Sequence, residues 1–273
     1  MAPPAGTVAK TLTMTSSNSN TRDDRFGRLR IWYPEVDSTM EVAAKLARCG
    51  APHGTVVEAR MQTAGRGRHG RQWITMPGGA LLTSWILRFA VRHADGGALS
   101  PLVALATIRA ITSLALNAPI SLKWPNDVLV DGRKVAGILL RAHHSSHEQS
   151  IIAGIGVNLR PDAIPEGMAG SAVSEWNPTI TAGHMLDAIA ANLEPIARTY
   201  GRYGRIAATD LDEMNTLLAW RDQPVTVQSG DGKLTGIACG IDVDGSLLLR
   251  DSGQSEVRRV RIGEIVRGPR PIA

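Results

Sequence analysis

The spacing of turn residues changes near Trp220, and this change restricts the folds that the chain can adopt. Beyond Pro224, short runs of alternating apolar residues are separated by turns rich in glycine, aspartate and serine. These turns fall at residues 229–232, 244–245 and 252–253. Such regular turns are typical of a small β-barrel of roughly 50 residues. We therefore predict two ordered units, residues 29–220 and residues 221–273, in a chain of the α+β class.

The pattern of the first unit predicts a mixed β-sheet flanked by helices. Ser38 and Glu41 have the spacing of a capping box, and Ser100 is the predicted N-cap of a long apolar helix. Residues 131–132, Asp followed by Gly, predict the type I′ turn of a hairpin. The predicted strands are residues 29–33, 55–61, 80–91, 123–130, 134–141 and 151–159, and the predicted helices are residues 40–48, 100–116, 180–200 and 208–220.

Composition narrows the class of protein. The two cysteines, Cys49 and Cys239, are too few for a disulfide framework or a zinc site, which favours a reducing, cytoplasmic location. No charge-free apolar run reaches about 18 residues, so we expect no membrane helix. Residues 1–28 are predicted as a disordered tail, because their first part is rich in Pro, Ser and Thr. This tail is shorter than the roughly 50 residues of a helix-turn-helix domain, so we expect no operator binding.

A loop rich in glycine and arginine is the first candidate site. Residues 65–70 match G-x-G-x-x-G, but no helix is predicted after them and no acidic residue lies about 20 residues on, so dinucleotide binding is not expected. Arg66, Arg68 and Arg71 follow one another with no acid among them, and Trp73 adds a flat apolar side chain. Arginine forks suit phosphate groups. A bound polyanion, a nucleic-acid patch and a solvated basic loop all fit this pattern.

The segment Lys123-Trp124-Pro125-Asn126-Asp127 is the second candidate site. Strand alternation directs the Lys123 side chain away from its apolar neighbours, and the adjoining core helix and hairpin indicate that it faces a pocket. Pro125 cannot donate a hydrogen bond to a strand ladder. Asn126 and Asp127 fit a turn as well as they fit a ligand contact.

Two further groups of basic residues have simpler explanations. His143, His144 and His147 have a spacing that could hold a metal, but they fall in a polar loop between strands, which favours a solvated loop. The net charge of +5 includes a basic C-terminal run that we expect on a solvated face of the barrel.

Four motifs together resemble those of biotin–protein ligases. They are QTAGRGRHGRQW at residues 62–73, KWPND at 123–127, KVAGIL at 134–139 and GIGVNL at 154–159. The arginine–glycine motif and KWPND in combination are specific, and the resemblance extends over about residues 31–268. It implies the catalytic fold shared by biotin and lipoate ligases, followed by an SH3-like β-barrel.

The resemblance implies a reaction in two steps. Members of this family join biotin to ATP, with Mg²⁺, and release pyrophosphate, and they then transfer biotin from biotinyl-5′-AMP to a lysine of a biotin carboxyl carrier domain. The implied catalytic residues are Lys123, Arg66 and Arg68. The implied biotin contacts are Ser38, Thr39, Gln62, Gly65, Arg66, Gly67, Arg68, Trp73, Lys123, Ala136, Gly137, Ile138 and Gly154. The implied contacts to ATP or the adenylate are Arg66, Arg68, Arg71, Trp73, Lys123, Asn126 and Asn158.

Of the two hydroxyls, Ser38 is expected to be the better helix cap and Thr39 the better ligand. The chain departs from the family pattern at Met40, where asparagine is usual, and at His69, where a second basic residue is common. A lipoate-type ligase and a biotin-responsive repressor are the alternatives that we weighed, and the motifs and the missing helix-turn-helix argue against them. We expect biotin, ATP and a carrier domain as partners, no nucleic acid and no membrane, and a homodimer is compatible with the family.

Overall fold

The computed structural model describes residues 26–89, 97–114, 118–144, 149–251 and 255–268. Its larger sheet is mixed, because β1 and β2 run parallel while the other neighbours run antiparallel. Its strands are β1 (Arg30–Tyr33), β2 (Val56–Ala59), β3 (Ala80–Phe89), β4 (Ile120–Lys123), β5 (Asp127–Val130), β6 (Arg133–His144) and β7 (Gln149–Asn158). Their order is β1-β2-β3-β7-β6-β5-β4, which places the long β3, β7 and β6 in the middle. The predicted mixed sheet is confirmed.

Helices cover both faces of this sheet. The helices are α1 (Thr39–Arg48), α2 (Leu99–Ser113), α3 (Ala182–Tyr203) and α4 (Ala208–Leu217). Val56 and Val57 are adjacent in β2 and fully buried in two different apolar clusters, as strand alternation requires. The cluster around Val57 contains the alanines of α1, and the cluster around Val56 contains α2 and α3. Because α2 is apolar on nearly every face, it is enclosed between the sheet and α3.

The C-terminal unit is a five-stranded antiparallel sheet. Its strands are β8 (Pro224–Ser229), β9 (Gly232–Ile241), β10 (Leu247–Arg250), β11 (Val257–Val260) and β12 (Glu264–Arg267). Their order is β11-β10-β9-β8-β12, so within the described residues no pairing joins the two edge strands into a closed barrel. The predicted change to short antiparallel strands beyond residue 220 is confirmed, and the sheet is open in its strand pairing.

Trp124 connects the two units. It is 1% exposed, and its Nε1 donates to the carbonyl of Gly245 at 2.9 Å, in the turn before β10. Gly245 has φ +84° and packs so closely on Ala98 that an added Cβ would lie 2.6 Å from the Ala98 Cα. The turn therefore requires glycine for its backbone conformation and for its contact with the residue before α2.

Three local predictions are corrected by longer-range contacts. The expected strand over residues 123–130 is two strands, because a turn containing a cis Trp124-Pro125 bond separates β4 from β5. Helix α2 begins one residue before Ser100, and the Ser100 hydroxyl donates to the carbonyl of Pro125 at 3.4 Å instead of capping. The Ser38 hydroxyl makes no capping hydrogen bond either, so the capping box does not form.

Order begins before residue 29. Phe26 stacks on Trp85 with ring centroids 5.4 Å apart, and the Gly27 amide donates to the carbonyl of Gly54 at 2.9 Å. Residues 1–25 and His147 lie outside the described residues. Within the described part of the chain, no helix is long and apolar enough to cross a bilayer.

We predict that Trp124→Phe lowers the free energy of unfolding by about 1–3 kcal/mol, because a buried carbonyl loses its donor. Chemical denaturation measures the change. Trp32→Phe is the matched control, since Trp32 is 44% exposed and should change stability by less than about 0.5 kcal/mol. Equal effects of the two substitutions would contradict the assigned role of Trp124.

Candidate active site

One cavity of about 410 Å³ gathers most of the predicted site residues. Its walls come from the start of α1, the arginine loop, the β4–β5 turn and strands β6 and β7. The predicted residues that line it are Ser38, Thr39, Gln62, Arg66, Gly67, Arg68, Arg71, Trp73, Lys123, Asn126, Gly137, Ile138, Gly154 and Asn158. Motifs far apart in sequence therefore meet in one place.

Two predicted contacts do not line the cavity. Ala136 is fully buried in the core cluster that holds α2, on the opposite side of β6 from Gly137. Gly65 is not among the lining residues, and a Cβ added to it would lie 2.4 Å from the carbonyl oxygen of Trp73, which leaves no room for a side chain. The amide of Trp73 also donates to the carbonyl of Gly65 at 3.0 Å, so this glycine shapes the loop.

The Ser38 hydroxyl does not cap α1 as expected, and the Thr39 hydroxyl is engaged by protein contacts. Thr39 Oγ1 bonds Gln62 Oε1 at 3.1 Å and Ser84 Oγ at 2.8 Å, and the Thr39 amide donates to the same Gln62 oxygen at 2.8 Å. Ser38 is 2% exposed, and its Oγ has no hydrogen-bond partner among the described residues. A buried hydroxyl without a partner is costly unless a ligand supplies one. Ser38 is therefore the better candidate for a ligand contact.

Met40 packs in the apolar cluster beside α1. It is 6% exposed, and a Cβ added to Gly154 would lie 3.0 Å from its Sδ. Met40 thus fills the space above Gly154 and narrows the cavity there. The unusual residue is explained by packing.

A pair of facing glycines forms the seat for Trp73. Gly137 of β6 pairs with Gly156 of β7, and added Cβ atoms would lie 2.9 Å and 2.8 Å from the indole ring. Lys134 Nζ lies 5.5 Å from the centroid of the same ring, within the range of a cation–π contact. The arginine loop therefore lies across the cavity with its tryptophan against bare backbone.

The three arginines of the loop have different partners. Arg68 Nη1 donates to Asn126 Oδ1 at 3.2 Å, and burial lowers the pKa of Arg68 while the carboxylates of Glu264 and Asp127 oppose that shift. Arg71 forms an ion pair with Glu264 of β12. Arg66 Nη1 lies 2.8 Å from a carboxylate oxygen of Glu41 on α1. No local sequence pattern predicts this pair, because the two residues are 25 positions apart.

Two lysines share one carboxylate. Lys134 Nζ lies 2.6 Å from Asp127 Oδ1, and Lys123 Nζ lies 3.6 Å from Asp127 Oδ2. Lys134 is not among the predicted site residues, because a lysine two residues beyond a hairpin turn is usually solvated. It lines the cavity because β5 and β6 shift register near Leu129, where Leu129 faces Lys134. The feature of the sequence that indicates a site role for Lys134 is its place in the KVAGIL motif.

The asparagines combine a structural and a cavity-facing role. Asn126 Nδ2 donates to the carbonyl of Ile138 at 2.8 Å, and Asn158 Nδ2 donates to the carbonyl of Ser171 at 3.1 Å. The cavity also has a wall that we did not predict, formed by Ile164, Pro165, Met168, Ala169, Gly170 and Trp220.

Comparisons with known proteins identify the family. The model of the Biotin/lipoate A/B protein ligase family matches residues 32–158, and that of the Biotin protein ligase C terminal domain matches residues 222–268. A biotin–(acetyl-CoA-carboxylase) ligase from Paracoccus denitrificans is 36% identical over 242 residues, covering 81% of this chain and 94% of that protein. The chain belongs to the biotin protein ligase family. The resemblance inferred from its motifs is thereby confirmed.

Other members of the family agree in sequence and fold. A bifunctional ligase/repressor BirA from Bacillus spizizenii is 31% identical over 248 residues, covering 89% of this chain and 75% of that protein. The biotin protein ligase from Aquifex aeolicus, solved in complex with biotin and ATP, is 26% identical with a TM-score of 0.72. That match covers 87% of this chain and 97% of the Aquifex chain.

We predict that Gly156→Ala displaces the indole of Trp73, because the new methyl would lie 2.8 Å from the ring. The Trp73 contribution to fluorescence, obtained as the difference from Trp73→Phe, should shift to longer wavelength. Gly232→Ala is the control, since the nearest atom would be 3.7 Å away. An unchanged difference spectrum would contradict this seat for Trp73.

Proposed function

We propose that this member of the family activates biotin with ATP and then biotinylates a carrier protein. The biotin carboxylate attacks the α-phosphorus, the bond to the β-phosphate bridge breaks, and pyrophosphate leaves. An amine of the carrier lysine then attacks the activated carbonyl and AMP leaves. The observation that carries the proposal is a single cavity with a buried hydroxyl, Ser38, at one end and a cluster of arginines and lysines at the other.

The end of the cavity near α1 suits the ureido ring of biotin. Ser38 Oγ is buried and available, and Thr39 and Gln62 hold each other in a fixed arrangement beside it. A site with preorganised polar groups discriminates strongly against analogues that cannot pair with them. The apolar chain of biotin would then lie along the glycine strands, beside the side chain of Met40 that covers Gly154.

The cationic end suits the reacting carboxylate and phosphates, which repel each other as anions. Arg68, Lys123 and Lys134 converge there, so their charges would neutralise the developing phosphate charge. We assign the contact between the biotin carboxylate and the α-phosphate to Lys134 in preference to Lys123. Both lysines pair with Asp127, but Lys134 also borders the Gly137–Gly156 seat, where its Nζ would lie 3.0 Å from a Cβ added to Gly137.

Mg²⁺ would enter this site with ATP. Among the described residues no group of three or more His, Cys, Asp or Glu side chains could hold a metal. Phosphate oxygens would therefore be its main ligands, which is usual for Mg²⁺ bound with nucleotides. When bound, the ion neutralises phosphate charge.

Water must be excluded in the second step, since the adenylate is labile. Trp73 and the arginine loop cover the cavity, and such a cover would retain the intermediate until the carrier lysine arrives. We retain four predictions for this chain. They are a carrier domain of biotin-dependent carboxylases as partner, a cytoplasmic location, a homodimer and a unit boundary near residue 220.

We predict that Lys134→Ala lowers biotin-dependent ATP–pyrophosphate exchange by about 100-fold to 1000-fold, the usual loss for one preorganised donor. Lys123→Ala should lower it by about 10-fold, because Lys123 lies farther from the Gly137–Gly156 seat than Lys134 does. Lys233→Ala, on the exposed start of β9, is the matched control and should leave exchange unchanged.

The reverse order of the two losses would assign the contact with the biotin carboxylate and the α-phosphate to Lys123 instead. Exchange that depends on lipoate instead of biotin would overturn the substrate while leaving the fold intact. No exchange with either acid would overturn the proposed ligase activity.

We predict that Ser38→Ala raises the KM for biotin by about 3-fold to 10-fold, the value of one hydrogen bond. The free energy of unfolding should not fall, because the hydroxyl has no partner among the described residues. Ser113→Ala, at the exposed end of α2, is the control and should leave the KM unchanged. A loss of stability with an unchanged KM would show that Ser38 has a structural role.

A further inference from the structure

Glu41 joins two arginines from distant parts of the chain. Arg66 in the loop and Arg141 on β6 direct their Nη1 atoms to the same oxygen, Glu41 Oε1, at 2.8 Å and 2.6 Å. The three side chains are partly exposed, with Glu41 the most enclosed at 32%. A single carboxylate thus holds the loop to α1 and α1 to the sheet.

The position of Glu41 relates this ion pair to the cavity. Glu41 lies in the first turn of α1, immediately after Thr39 and Met40, which line the cavity. The loop has a second attachment at its other end, where Arg71 pairs with Glu264. Glu41 and Glu264 therefore hold the two ends of residues 66–71, the segment that carries Arg68 and directly precedes the stretch of chain leading to Trp73.

We propose that Glu41 is a positioning residue that holds the arginine loop across the cavity through Arg66. Arg141 sets the strength of this hold, because it shares the carboxylate with Arg66. The proposal deepens the proposed function and rests on it, since a better-held loop would retain biotin and the adenylate more firmly.

Electrostatics favours a persistent pair. The hydrogen bond from Arg141 holds the pKa of Glu41 below its usual range against the opposing effect of burial, and the charges of Arg141, Arg66 and Lys45 act in the same direction as the hydrogen bond. Glu41 therefore keeps its charge at neutral pH. Its two partners carry one positive charge more than it can neutralise. Removing one of the two arginines therefore strengthens the attraction between Glu41 and the remaining arginine.

The test compares Glu41→Gln, which removes the hold, with Arg141→Gln, which gives Arg66 the whole carboxylate. Trypsin cleavage after the arginines of residues 65–73, identified by mass spectrometry, measures how often the loop leaves the cavity. Glu41→Gln should speed cleavage by about 3-fold to 5-fold, the size expected for an exposed ion pair. Arg141→Gln should slow it by about 2-fold. Glu35→Gln, an exposed acid between β1 and α1, should leave the rate unchanged.

Opposite changes in the cleavage rates of the two variants would distinguish positioning of the loop from general structural support. If Glu41 only supported the structure, trypsin would cleave both variants faster. Faster cleavage in both variants, or no change in Glu41→Gln, would overturn the proposal. At 1 M salt the difference between the variants should shrink, because the contacts are partly exposed.

An activity measurement distinguishes this proposal from the proposed function. In biotin-dependent exchange, Glu41→Gln should raise the KM for biotin by about 3-fold to 5-fold and leave kcat within 2-fold, and Arg141→Gln should not raise the KM. A changed kcat with an unchanged KM would contradict positioning by Glu41. Absent exchange in the wild type would overturn the ligase activity, whereas the proteolysis result would still decide the role of Glu41.

Discussion

The pairing of Gly137 with Gly156 is the constraint on which the site depends. Two long strands, β6 and β7, place these glycines opposite each other, and the absence of Cβ atoms exposes a flat area of backbone. An aromatic ring or a narrow ligand can lie directly against that area. The rest of the fold serves this geometry: α2 and α3 bury the opposite face, and the loop, α1 and the β4–β5 turn form the walls.

Charge in the site follows one pattern. Two carboxylates each face two cationic side chains: Glu41 faces Arg66 and Arg141, and Asp127 faces Lys123 and Lys134. Each of these two acids orders its neighbours without neutralising both of them. Positive charge therefore remains available around the cavity while the side chains that carry it are held in place. This arrangement suits a polyanionic ligand, because preorganised cations cost little reorganisation when the ligand binds.

The sequence predicts the elements better than the side-chain roles. Period-2 runs and the Asp131–Gly132 turn depend on near neighbours, and the structure has positive φ at both turn residues. The hydrogen bonds from Thr39 to Gln62 and Ser84 form only because the fold brings these residues together. Likewise Lys134 faces the cavity because of a register shift between β5 and β6, and a shift of this kind leaves little trace in local patterns.

The ion pair between Arg71 and Glu264 has a consequence for the whole chain. Because this pair joins the loop to β12, ordering of the loop is energetically coupled to docking of the C-terminal sheet. By thermodynamic reciprocity, a molecule that binds better to the ordered loop tightens the docking of that sheet, and docking raises the affinity for that molecule by the same coupling free energy. Binding of another protein at β12 would then change the affinity of the cavity for its ligand.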